Sequence, residues 1–178
     1  MQRRLDPSKL VFVDETGVKT NMTRLRGRCA VGERLECAAP RGSWSTTTLI
    51  GSVRLDGKTE SVAIEGAADA AAFEAYIGEV LAPTLSKGDI VVMDNLSIHK
   101  GRRVRRLLRK VGARLFYLPP YSPDLMPIEK MWSKVKSHLR SAEARTWDSL
   151  VAAVGQALSL VTASHCINFF ASCNYNFI

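Results

Sequence analysis

Hydrophobic positions in this chain follow two rhythms. Leu10-Val11-Phe12-Val13, Ile90-Val91-Val92-Met93 and Leu115-Phe116-Tyr117-Leu118 are short unbroken apolar runs, suited to strands buried on both faces. Thr46 to Leu55 is β-branched and apolar, Asp56-Gly57 is a hairpin turn signal, and Thr59 to Ile64 returns as the partner strand. Elsewhere the period is helical. Asp69 to Leu81 predicts a helix with Asp69 near its N-cap, closed by Pro83 and Gly88. From Gly101, Val104, Leu107, Leu108 and Val111 fall at i, i+3, i+4, i+7. Pro127 to Leu139 puts Ile128, Trp132, Val135 and Leu139 on one stripe, and Thr146 onward does the same with Leu150, Val151, Val154, Leu158 and Val161. Between the first two strands, residues 17–43 scatter Gly17, Gly27, Gly32, Pro40 and Gly42 among charges, which predicts a long, loosely hairpinned connection.

The order is a meander, a helix, a strand, a helix, a strand and two helices, with no internal repeat. It predicts an α/β fold, a mixed five-stranded sheet with helices on both faces. A lead-in of residues 1–9 and one domain over residues 10–178 account for the chain. Its length of 178 residues, with 46% hydrophobic and 24% charged, suits one packed domain and argues against disorder or a fibre. The last apolar segment, Leu150 to Ala163, is broken by Gly155, Gln156, Ser159 and Thr162, too short and amphipathic to span a bilayer, so no membrane partner is expected. Met1 to Pro7 carries basic residues without a following apolar stretch, so no secretory signal is read there. Cys29, Cys37, Cys166 and Cys173 form no Cys-x-x-Cys pair and are expected to be reduced, space-filling thiols in a cytoplasmic protein. The 25 Lys and Arg against 17 Asp and Glu leave a net charge of +8, which favours a polyanionic partner.

Two apolar runs end in an acid, Val13-Asp14 and Met93-Asp94. On parallel neighbouring strands both carboxylates would lie at the C-terminal edge of the sheet, where open α/β sheets place ligands. Asp89 precedes its strand and belongs to the opposite edge. An Asp after a strand also commonly just starts a turn. A third acid, Glu129, sits third in the helix opened by Pro127, where it either reaches back as a capping acid or joins the other two. Three carboxylates at one edge repel each other unless a cation holds them. Oxygen ligands suit Mg²⁺, and two such ions activate a hydroxyl and stabilise a departing phosphate oxygen.

Asp14, Asp94 and Glu129, with 34 residues between the last two, stand in Val13-Asp14-Glu15-Thr16-Gly17, Asp94-Asn95-Leu96-Ser97-Ile98-His99 and Leu118-Pro119-Pro120-Tyr121-Ser122-Pro123-Asp124-Leu125-Met126-Pro127-Ile128-Glu129. This set resembles the DDE triad of Tc/mariner-superfamily transposases, and the flanks are similar to the bacterial insertion-sequence branch often called IS-six-thirty. The resemblance implies a ribonuclease H-like fold, with the triad as catalytic residues and metal ligands for two Mg²⁺ ions (Mn²⁺ substituting). It implies hydrolysis of DNA phosphodiesters at transposon ends and transfer of the freed 3′-hydroxyl to target DNA, with double-stranded DNA as partner. A homodimer and a location at the bacterial nucleoid follow from the same likeness.

The resemblance is imperfect in two places. Met126 stands where the family pattern has Asn, a better N-cap by about 1 kcal/mol, so a looser first turn around Glu129 is expected. Nine residues precede Leu10 where relatives carry a helix-turn-helix region, so the chain is expected to be a catalytic half whose helix-turn-helix partner is encoded separately or lost.

Lys100 to Lys110 holds seven basic residues and no acid, and Arg102, Arg106 and Arg109 share one helix side, expected to contact phosphates. Arg24, Arg26 and Arg28 form a smaller cluster. His99 is read either as a contact to the scissile phosphate or a metal-bound water, or as a helix-start histidine bonded to backbone, and Trp132 and Trp147 as core. The alternatives are a catalytically silent transposase fragment that only binds DNA or regulates, and a ribonuclease H-like enzyme acting on hybrids or junctions.

Overall fold

Successive residues of the first strand serve two different cores. The computed structural model describes residues 6–36, 38, 40–41 and 44–175; most of the expected lead-in, together with Cys37 and Gly42, lies outside them. In β1 (Leu10–Lys19), Leu10, Phe12 and Val18 join one apolar cluster, while Val11 and Val13 join another. The pleat sends neighbouring side chains to opposite faces, so an unbroken apolar run needs a helical layer on each side.

Both layers are present. The sheet has the order β3-β2-β1-β4-β5, with β2 (Thr46–Arg54), β3 (Thr59–Glu65), β4 (Ile90–Met93) and β5 (Arg114–Tyr117). β1 runs antiparallel to β2 and parallel to β4, and β4 parallel to β5. The hairpin between β2 and β3 turns on Gly57, whose φ of 90° is the conformation that favours glycine there. One face carries α1 (Ala70–Ala75), continued by a π-helical turn over Tyr76–Leu81, and α2 (Arg102–Lys110). The other carries α3 (Pro127–Ala142), α4 (Trp147–Ser159) and α5 (Ala163–Ser172). The mixed five-stranded sheet with helices on both faces is thus the architecture that the apolar runs predict.

The details differ in four places. β1 continues six residues past the predicted run, because Thr16 and Val18 keep alternating inward while pairing with Leu49 and Thr47 of β2. Asp14 is therefore inside a strand, and only its neighbour β4 ends at the acids. A fifth helix, α5, follows α4; Thr162 caps it by accepting from the His165 backbone N–H. Trp147 is 38% exposed rather than core, since it opens α4 ahead of the apolar stripe, whereas Trp132 is buried. Cys166 and Cys173 fill the core, but Cys29 is exposed in the long connection and its thiol donates to Glu33 O. Among the described residues no single helix is long and apolar enough to cross a membrane.

Candidate active site

Phe12 and Val92 are register partners across the parallel β1–β4 pair. Asp14 and Asp94 each lie two residues further on, so the pleat brings both carboxylates to one level of the sheet. Asp14 shares the parity of Phe12 and faces the α3 layer, only 8% exposed. Asp94 follows the last residue of β4, and its Oδ1 accepts from the Leu96 N–H at 3.0 Å. Glu129 is the third residue of α3, after Met126 and Pro127. The Met126 side chain makes no capping hydrogen bond and is buried instead, leaving Glu129 free of a capping role and exposed at the cleft mouth. α3 lies close on the sheet because the residue opposite Asp14 is Gly51: a Cβ there would sit 2.7 Å from Trp132.

The three acids line one cleft of about 340 Å³, walled by Leu118, Pro119, Pro120 and Met126. Burial pushes the Asp14 carboxyl up to about 7, and the negative charges of Glu129, Glu15 and Asp94 add to it. Among the described residues no Lys or Arg forms an ion pair with Asp14, Asp94 or Glu129. Nor do three or more His, Cys, Asp or Glu side chains approach closely enough to form a finished metal cage. What stands here is a buried, uncompensated carboxylate with two more acids beside it, a donor set whose chemistry fits a hard divalent cation.

His99 corrects the sequence reading. Its side chain is fully buried and presents nothing to a phosphate. Glu15, one residue after Asp14 and pointing to the opposite face, holds the His99 Nε2 with both carboxylate oxygens at 2.9 Å. On the other side Nδ1 lies 2.6 Å from Asp94 Oδ1, close but poorly aligned for a hydrogen bond. Burial disfavours the imidazolium, yet the Glu15 hydrogen bond and charge, with Asp94 adding, raise the His99 pKa above its ordinary value. The strand alternation that puts Glu15 opposite Asp14 was available in sequence; its partner, 84 positions away, was not.

The sequence model of the DDE superfamily endonucleases matches residues 9–151, which contain all three acids. This chain belongs to that family. No curated protein matches it. Among solved structures, this DDE-family chain is similar to a Mos1 transposase paired-end complex with left transposon end (18% identity, 96% of this chain and 53% of that one, TM-score 0.75). It is also similar to a mariner Mos1 paired-end complex with Mg (17%, 97% and 56%, TM-score 0.70) and to the catalytic core domain of BIV integrase (18%, 85% and 81%, TM-score 0.52). At these identities the likeness shows the fold, the ribonuclease H-like fold of transposase and integrase catalytic cores. The chain spans about half the length of the Mos1 transposase chains in those paired-end complexes.

In this DDE endonuclease fold, α2 begins at Arg102, eight residues after Asp94, with Gly101 at its N-cap. Arg102, Arg106 and Arg109 are all exposed, as are Arg103, Arg105 and Lys110, while Val104 and Leu108 are buried beneath. Arg103 reaches Glu74 only at 3.8 Å and Arg105 lies over the Tyr117 ring at 5.9 Å. Arg24, Arg26 and Arg28 are exposed in the connection between β1 and β2.

Proposed function

We propose that residues 10–178 are the catalytic domain of a bacterial transposase of the Tc/mariner superfamily, in the IS-six-thirty branch, acting on double-stranded DNA in the cytoplasm. The observation that carries this reading is the meeting of Asp14, Asp94 and Glu129 in one cleft, with Asp14 buried and without a cation. These three would hold two Mg²⁺ or Mn²⁺ ions, as the mariner complex with Mg suggests by its fold. When bound, such ions activate an attacking hydroxyl and stabilise the departing phosphate oxygen.

The chain's own residues do the rest. The paired β1 holds Asp14, Asp94 follows directly on the last residue of β4, and Glu129 sits exposed at the start of α3 where it closes the set. Leu118, Pro119, Pro120 and Met126 give the cleft an apolar wall. Arg102, Arg106 and Arg109 grip phosphates of the strand leading to the cleft. Of the hydroxyls lining the cleft, Ser122 donates to the Pro120 backbone oxygen at 3.4 Å and Tyr121 is fully exposed, so neither has a base beside it. Attack therefore falls to water in cleavage and to the freed 3′-hydroxyl in joining, without a covalent protein–DNA intermediate. Reading of transposon ends is assigned to a helix-turn-helix part outside residues 10–178, and assembly to a homodimer.

Incubation with supercoiled plasmid and Mn²⁺ tests this. Nicking that Asp94→Ala abolishes is expected; nicking that survives substitution of all three acids would sink the assignment, and no nicking by the wild type would favour a silent fragment.

A further inference from the structure

Asp94 has little support from the sheet. β4 stops at Met93, whose carbonyl accepts the Leu118 N–H at 2.9 Å, and the next residues turn away into a single 3₁₀ turn, Ser97–Lys100. A carboxylate on such a loop needs another element to fix its rotation. The His99 ring is placed to do so. It stands between Glu15 of β1, 2.9 Å from Nε2, and Asp94, 2.6 Å from Nδ1. The ring is confined: the Phe73 ring packs on it at a centroid distance of 4.4 Å and no part of it reaches solvent, while Tyr117 anchors the residue's backbone by donating its hydroxyl to the His99 carbonyl at 2.7 Å. Glu15 in turn is held by the paired β1, next to Asp14. The chain Glu15–His99–Asp94 therefore ties the half-buried acid on the loop to the strand that carries the buried Asp14.

We infer that Glu15 and His99 are positioning residues: they hold Asp94 Oδ1 against the imidazole and the Leu96 N–H, leaving Oδ2 as the oxygen offered to a cation in the cleft. The inference rests on the metal-binding reading given above. Ligating groups in metal sites are commonly oriented by outer partners, whose loss weakens metal affinity about 10–100-fold. Here the orienting group would be a histidine supporting a carboxylate, itself anchored by a second carboxylate from the other face of the sheet.

Mn²⁺ binding measured by the electron paramagnetic resonance of free Mn²⁺, without DNA and at fixed pH, tests it on the full chain. In His99→Gln the side-chain amide nitrogen stands near the Nε2 position and keeps Glu15, but Asp94 loses its support. In His99→Asn the amide nitrogen stands near Nδ1 and keeps Asp94. Expected is a fall in Mn²⁺ affinity of about 10-fold or more for His99→Gln, with His99→Asn retaining it within about threefold. Unchanged affinity in His99→Gln, or equal losses in both variants, overturns the inference, because a residue that merely fills the core would lower thermal stability without discriminating between them. Should either variant fail to fold, the wild-type imidazole answers: Mg²⁺ titration should move the His99 Nδ1 resonance more than Nε2, with the midpoint of metal binding. Metal binding that leaves both nitrogens unmoved also overturns it. Asp14→Asn serves as the control for the underlying reading: if it binds Mn²⁺ as tightly as wild type, the cation does not sit in this cleft and the metal reading itself fails.

Discussion

Asp89 and Asp14 are both buried acids flanking the same parallel strand pair, one ahead of β4 and the other at the far end, and they are treated in opposite ways. Asp89, 1% exposed, receives the Arg54 guanidinium and the Ser86 N–H, which together overcome the cost of burial and hold its carboxyl below the usual range. Asp14 has no such cation, and burial with Glu129, Glu15 and Asp94 nearby pushes it up to about 7. A buried charge is tolerable when paired and costly when not. One edge of the sheet is therefore complete as folded, while the other is left with a charge that only something from outside the chain can balance.

Substituting each acid by its amide should separate these roles most sharply. Asp14→Asn is expected to reduce plasmid nicking below detection while holding or raising the melting temperature of the metal-free protein. Asp89→Asn should do the reverse, costing roughly 3 kcal/mol by leaving Arg54 with its side chain only 15% exposed and without its partner, and leaving Mn²⁺ affinity intact. Loss of stability in both, with no loss of nicking in either, would erase the distinction.

Acidity sharpens it further. Asp14 binds its proton more tightly folded than unfolded, so in EDTA the stability it permits at pH 4 is lost as pH rises toward 7, by up to about 4 kcal/mol across roughly three units. His99, also raised, adds to the loss on the alkaline side. Asp89 works the other way, contributing at neutral pH and failing only in acid. Denaturant midpoints of the metal-free protein should thus fall between pH 5 and pH 8, and Asp14→Asn should flatten much of that slope.

Gly51→Ala probes the geometry behind the unpaired edge. A methyl group 2.7 Å from Trp132 must displace that buried indole, and α3 with its Glu129 is expected to reseat around it, costing about 1–3 kcal/mol. Weaker Mn²⁺ binding should accompany the lower stability; unaltered binding would mean that Glu129 does not depend on how α3 seats. The smallest effect belongs to α2. Arg102→Glu with Arg106→Glu should flatten the salt dependence of duplex binding by about two in log–log slope. An unchanged slope would return that helix to being an ordinary solvated face.

Much of this was legible in the residues themselves. The apolar runs place β1, β4 and β5, and the matching Val-Asp and Met-Asp endings put two acids at one level because the strands happen to be in register. What escaped depended on contacts across the molecule. Glu15 reads as a flanking charge until the far side of the sheet supplies His99, and Gly51 reads as an ordinary strand glycine until Trp132 arrives over it. The added length of β1 was hidden because Glu15 and Lys19 interrupt the apolar run while Thr16 and Val18 continue its alternation. α5 lacks the usual acidic helix-start signal, its cap being Thr162 with His165.

The adjacency of Asp14 and Glu15 also guards the folding of the chain. If β1 paired with β4 one residue out of step, Glu15 would turn toward the helix bearing Trp132 and Asp14 would enter the aromatic pocket around Phe73. Phe12 would leave the ring cluster it forms with Phe170 and Tyr175. Each misplaced acid would lose its environment at once, so a slipped strand is penalised from above and below the sheet, and the spacing needed for chemistry comes from the same two residues that reject the wrong pairing.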